Sequence, residues 1–147
     1  MSDMELVLRF FALSDYSAMD MKFKDYLSDF MDRRNEAYVA QPELASSDKE
    51  RFLRAVTNCW TVFGDAAFRK EDKAQKSAPL ADAVMIALAD SDPDKVAAQA
   101  EKVRAAIKTL LATHEDFKKA FGTGTNGKGA IRTRIEVATE AVTATLG

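Results

Sequence analysis

Breakers of regular structure are scarce in this chain, and most of them are gathered in one place. Its 3 prolines stand apart at Pro42, Pro79 and Pro93, while four of its 6 glycines cluster at Gly122, Gly124, Gly127 and Gly129. An average chain of 147 residues carries roughly 12% Gly plus Pro, about twice as many. That scarcity excludes collagen-like, low-complexity disordered and many-stranded β architectures, all of which need frequent punctuation.

Between the breakers the apolar residues recur at helical spacing. Residues 3–13 form a dense apolar block, with Leu6, Phe10 and Leu13 on one face and Val7 and Phe11 beside them. Phe23, Tyr26, Leu27, Phe30 and Met31 follow the i, i+3, i+4, i+7, i+8 pattern of an amphipathic helix. Ser47-Asp-Lys-Glu50 reads as a capping box that opens a helix with Phe52, Val56, Cys59, Trp60 and Phe63 inward. Ser77-Ala-Pro79 starts another, whose span from Leu80 to Ala89 is apolar nearly all round and so predicts a helix buried on several sides. After Asp92-Pro93 a seam runs through Val96, Ala100, Val103, Ile107 and Leu110; Thr113-His-Glu-Asp116 caps a short helix ending at Phe121; Ile131, Ile135, Ala138 and Val142 mark the last helix. No useful stretch alternates with period two. The reading is all-α: a compact bundle of six or seven helices, a single domain over 1–147, with loops at 14–20, 40–47, 70–78 and 122–129.

Composition bounds what such a bundle does. A formal net charge of −2 gives no global field for nucleic acid or an anionic membrane. The single Cys59 excludes an internal disulfide and a multi-cysteine zinc site, and suits a reducing compartment. No signal peptide and no run of 18 apolar residues is visible, so the expectation is a cytoplasmic chain with no membrane partner.

The glycine cluster reads Gly-Thr-Gly-Thr-Asn-Gly-Lys-Gly, and its frame Gly122-x-x-x-x-Gly127-Lys128 satisfies most of a P-loop. The decisive position fails, because the Ser or Thr that ligates magnesium is Gly129, and a helix precedes the cluster where a P-loop needs a strand. A weaker phosphate site survives: glycines let successive N–H groups converge on an anion, a helix N-terminus follows, and Lys128, Arg132 and Arg134 add positive charge. Thr125, Asn126, Gly127, Lys128, Arg132 and Arg134 are its candidate residues. The same stretch also reads as a C-cap at Gly122, a tight turn at Asn126-Gly127 and a fresh helix start.

Other residues read as structural. His114, the only histidine, lies in the first turn of a helix and cannot supply a two-histidine metal site. Cys59 and Trp60 read as core, and Asp25 and Asp29 alternate with basic residues as on a solvated face. Arg69, Lys70, Lys73 and Lys76 are interrupted by Glu71 and Asp72 and read as a solvated linker. No catalytic residue, metal site or cofactor is expected.

Two stretches, Asp3–Leu13 with Tyr16 and Met21–Met31, and Gly124–Glu136, stand in order around Val62-Phe-Gly-Asp-Ala-Ala-Phe-Arg69. This order resembles the C-terminal helical region of a bacterial family of ParB/sulfiredoxin-like proteins, first catalogued as a domain of unknown function (number 262), which includes the S half of GmrSD-type restriction systems. In that family the chemistry belongs to an N-terminal domain with an Asp-Gly-Gln-Gln-Arg motif, tied to nucleotide hydrolysis and cleavage of foreign DNA. No such motif occurs in this chain. The resemblance therefore implies a C-terminal piece of a restriction or phage-defence protein that is not itself an enzyme. Its expected work is contact with a protein partner or a missing N-terminal catalytic domain. Phosphate or nucleic-acid binding through Gly122–Gly129, Arg132 and Arg134 is the second expectation, and a free-standing small enzyme the third.

Overall fold

A computed structural model describes residues 2–70 and 74–147. Among them are eight α-helices: α1 Asp3–Leu13, α2 Phe23–Ala40, α3 Pro42–Phe63, α4 Ala78–Leu88, α5 Pro93–Ala98, α6 Ala100–Thr113, α7 Glu115–Lys119 and α8 Lys128–Leu146. Two single 3-10 turns, Tyr16–Ala18 and Gly64–Ala66, follow α1 and α3. The described residues contain no strand, only an isolated antiparallel bridge between Arg69 and Lys76. The protein is an all-α bundle.

α4 is the axis. Nine of its residues are buried, and it packs on α1, α3 and α8 at once, as a helix apolar on all sides must. Leu80, Val84 and Leu88 are each 4% exposed or less, and each such burial stabilises the fold by about 1.5–3 kcal/mol. Ser77 starts the helix by accepting a hydrogen bond from the Leu80 N–H at 3.3 Å. Its C-terminal carbonyls are closed by α3: Asn58 donates through Nδ2 to Leu88 O at 2.8 Å and Ser91 O at 3.0 Å, and Arg54 donates to Ala89 O at 2.6 Å. A second apolar cluster joins Leu13, Tyr26, Phe30, Ile131 and Ile135. There the Tyr26 hydroxyl faces Ala12 O and Asp15 O, both at 2.8 Å, closing the end of α1.

Several expectations shift. The count is eight because the seam from Val96 to Leu110 breaks at Gln99 (φ −118°, ψ 15°), with Val96 and Val103 fully buried on either side. The predicted loop at 40–47 shrinks to Gln41: Pro42 occupies the first turn of α3, where its missing N–H is harmless, and the helix starts five residues before Ser47. The capping box is therefore interior helix. Its Asp48 instead clasps α2, accepting from Arg34 at 2.8 and 2.7 Å and from Tyr38 at 2.7 Å. The inward seam of α3 is Ala55, Asn58, Cys59 and Val62, while Val56 and Trp60 face solvent at 40% and 63% exposure. His114, not Thr113, caps α7: its Nδ1 accepts from the Phe117 N–H at 3.1 Å. Lys73, Glu71 and Asp72 of the expected linker lie outside the described residues.

Candidate functional site

Two places concentrate charge or open apolar surface: the glycine loop with what lies beneath it, and a groove on the other side of α4.

The loop between α7 and α8 is a pair of turns. Gly124 adopts φ +71°, a left-handed backbone that a side chain would strain. Gly127 donates its N–H to Gly124 O at 3.0 Å and then caps α8. A Cβ added at Gly127 would sit 3.3 Å from that same carbonyl, so the turn is also sterically tight.

The candidate phosphate residues divide into two sets. Thr125, Asn126 and Arg134 come together, but only Arg134 is buried, beneath the loop, while Asn126 is exposed. Arg134 is fully buried; its Nη1 donates to Thr125 O and its Nη2 to Asp82 Oδ2 at 2.8 Å. Arg9 meets the same carboxylate from α1 with two bonds, Nε to Oδ1 at 3.0 Å and Nη2 to Oδ2 at 2.6 Å, and reaches Asn126 Oδ1 at 3.4 Å. The loop is thus riveted from beneath by two arginines on one aspartate. Lys128 and Arg132 face outward. The Lys128 ammonium donates to Ser17 O at 3.0 Å, and Arg132 is exposed, close enough to Tyr16 to act on its charge. The Tyr16 hydroxyl donates to Glu136 Oε1 at 2.7 Å; burial, then Glu136, raises its pKa.

The buried trio carries two positive charges against one negative. Glu5 stands 3.9 Å from Arg9 Nη1, and the Arg9 guanidinium lies 4.7 Å from the centre of the Phe23 ring, which adds a cation–π contact. Among the described residues the Nε of Arg134 finds no hydrogen-bond partner. Burial accordingly pulls the Arg134 pKa below its ordinary value, against the pull of Asp82. This cluster is built to fasten α1, α4, α8 and the loop together.

Across α4 lies a groove of about 1060 Å³ bounded by α3, α4, α6 and α7. Leu80, Val84 and Ile107 make its apolar floor, with Phe63, Leu111 and Phe121 on its walls and Trp60 at its lip. Arg69, Lys70, Arg104, Lys108 and Lys118 also line it, and no Asp or Glu does among the described residues. Arg104 donates to Val62 O at 2.7 Å, Lys70 sits 5.1 Å over the Phe121 ring, and Lys118 pairs loosely with Glu115 at 3.7 Å. Phe68, another lining residue, holds φ +65°, a left-handed backbone that bulky side chains rarely adopt. The same backbone is pinned where Ser77 N–H donates to Phe68 O at 2.6 Å.

Sequence reasoning missed the buried trio and the groove. A charged Asp82 in an otherwise apolar helix was the one visible signal for the first; for the second, the periodicity of α3 placed Trp60 inward, whereas it is exposed.

The remaining reactive groups are occupied structurally. The Cys59 thiol is 1% exposed, and burial pushes its pKa up to about 12. His114 serves as a helix cap. Among the described residues no group of three His, Cys, Asp or Glu side chains is placed to hold a metal ion, and no helix is long and apolar enough to cross a membrane. No protein-family model, curated protein or solved structure matches the chain.

Proposed function

We propose that this chain is a non-catalytic contact module that docks a protein partner in the groove between α3, α4, α6 and α7. The observation that carries the reading is Trp60. It is 63% exposed at the lip of an apolar groove, and Val56 and Leu53, one and two turns back on the same helix face, are 40% and 51% exposed. Contiguous apolar surface of this kind marks interaction sites. The left-handed backbone at Phe68 adds support, since strain of that sort gathers at binding sites. The resemblance to ParB-like restriction proteins supplies the partner: a domain bearing Asp-Gly-Gln-Gln-Arg, encoded beside this chain or joined to it.

Phosphate or nucleic-acid binding at Gly122–Gly129 is less well supported. Arg134 faces Asp82, and Lys128 is engaged with Ser17, so a phosphate there would meet Arg132 first. The test is co-elution of the chain with the product of an adjoining reading frame that carries the motif. Trp60→Glu should abolish co-elution while leaving helicity unchanged. Steady NTP hydrolysis or DNA cleavage by the chain alone, or co-elution indifferent to Trp60→Glu, would overturn the reading.

A further inference from the structure

We infer that the occupant of the groove is an acidic amphipathic helix: an apolar stripe at i, i+3 or i+4, and i+7, flanked by Asp and Glu. The inference rests on the docking reading above and names the chemistry of its partner.

Charge is the first argument. The chain as a whole is at −2, yet Arg69, Lys70, Arg104 and Lys118 gather around one groove that no described acidic residue lines. These cations come from three separate elements: the turn after α3, α6 and α7. Among the described residues none is locked in a buried pair. Arg104 gives its Nε to a backbone carbonyl, and the Lys118–Glu115 contact is an exposed pair of a kind worth at most about 1 kcal/mol, readily exchanged for a better partner.

Shape is the second argument, and it separates a helix from a small carboxylate such as a fatty acid. Apolar surface does not stop where the groove ends. It runs on along α3 from Trp60 to Leu53, seven residues or about 10 Å of helix rise, outside the enclosed volume. A ligand seated only in the groove would leave Val56 and Leu53 uncovered; a rod of three or four turns covers both. At about 1060 Å³ the groove lies just above the roughly 300–1000 Å³ of small-molecule sites. Its walls are α3, α4, α6 and α7 with the turn at 64–70, and no sheet among the described residues offers an edge to add a strand to, which favours the helix-in-groove mode of recognition.

The single tryptophan of the chain stands at the lip, so its emission reports occupancy directly. Three synthetic helical peptides of about four turns, sharing one leucine stripe, would be titrated into the intact chain with Glu, Gln or Lys at the flanking positions; dodecanoate is the small-molecule arm. The expected result is a blue shift of Trp60 emission, with affinity falling in the order Glu, Gln, Lys and the Glu peptide weakening as salt rises. The double reversal Arg69→Glu with Lys118→Glu should weaken the Glu peptide about tenfold, whereas Lys24→Glu on α2 should not. If the Gln peptide binds as tightly as the Glu peptide, the acidic partner is wrong and the docking groove stands. If dodecanoate shifts the emission and no peptide does, or if nothing binds, both the inference and the docking reading fall.

Discussion

Replacing Asp82 with Asn tests the reasoning about the buried trio most directly. The carboxylate is 1% exposed and sits between two guanidinium groups whose side chains are 4% and 0% exposed. It accepts three hydrogen bonds, at 3.0, 2.6 and 2.8 Å. Asparagine keeps the volume, removes the only buried countercharge among the described residues, and turns one acceptor into an amide that faces arginine donors. Removing one partner of a buried ion pair costs about 3–5 kcal/mol, because an uncompensated charge stays behind. Against the roughly 5–15 kcal/mol that holds a domain together, that is a large share. It corresponds to a fall in Tm of about 6–20 °C for a chain of this size. Urea unfolding followed by circular dichroism gives the free energy, and calorimetry the Tm. Arg134→Met is the control: it removes the surplus positive charge and the unpartnered Nε, leaves the bidentate Arg9–Asp82 pair whole, and should cost less than Asp82→Asn. An Asp82→Asn loss below about 1 kcal/mol, or a larger loss for Arg134→Met, would refute the claim that a deficit of negative charge is what the core cannot tolerate.

Other changes probe single contacts. Asn58→Leu removes the side-chain donor to Leu88 O and Ser91 O and should cost about 1–3 kcal/mol in urea unfolding. Gly124→Ala forces a side chain onto φ +71° and should cost about 1 kcal/mol, with Gly124→Asn closer to wild type. Native Cys59 should resist a disulfide-exchange reagent until the chain unfolds, because burial holds the thiol protonated. Its folded pKa is raised from 9.0 to about 12. The stabilisation is therefore fully present below pH 9 and is lost as pH rises toward 12, at no more than about 1.4 kcal/mol per pH unit. Cys59→Ala should flatten the pH dependence of stability between pH 9 and 10, below the raised pKa values of the tyrosines.

The helices were legible because their signals are local. Ser77 and Pro79, or Asp92 and Pro93, lie within a few residues of the turn they create, and α4 announces its central place by having no polar face except Asp82. Where local signals competed, the longer helix won. Ser47–Glu50 has the residues of a capping box, yet Pro42 had already set the helix geometry, and Asp48 gained more by meeting Arg34 and Tyr38 across the hairpin than by capping. The register of α3 failed for a related reason. Phe52, Cys59 and Phe63 fit either of two seams, and only the placement of Asn58 beneath the end of α4 chooses the one that turns Trp60 outward.

The site resisted reading because its parts are far apart in the chain. Arg9 meets Asp82 across 73 positions and Asn126 across 117, and Arg134 meets Asp82 across 52, so no spacing rule could join them. Arg134 looked like a phosphate ligand because charge was counted along α8 without regard to the direction each residue faces. At helical spacing, Ile131, Arg134, Ile135, Ala138 and Val142 form one buried stripe, so Arg134 belonged to the core face from the start, and a buried arginine requires a carboxylate. Only one described candidate occurs within the apolar helices, Asp82 on α4. The inverse holds for the groove. Its cations sit in ordinary polar positions of three different segments, and it is the packing that brings α3, α4, α6 and α7 around one groove, rather than any motif, that turns them into one surface.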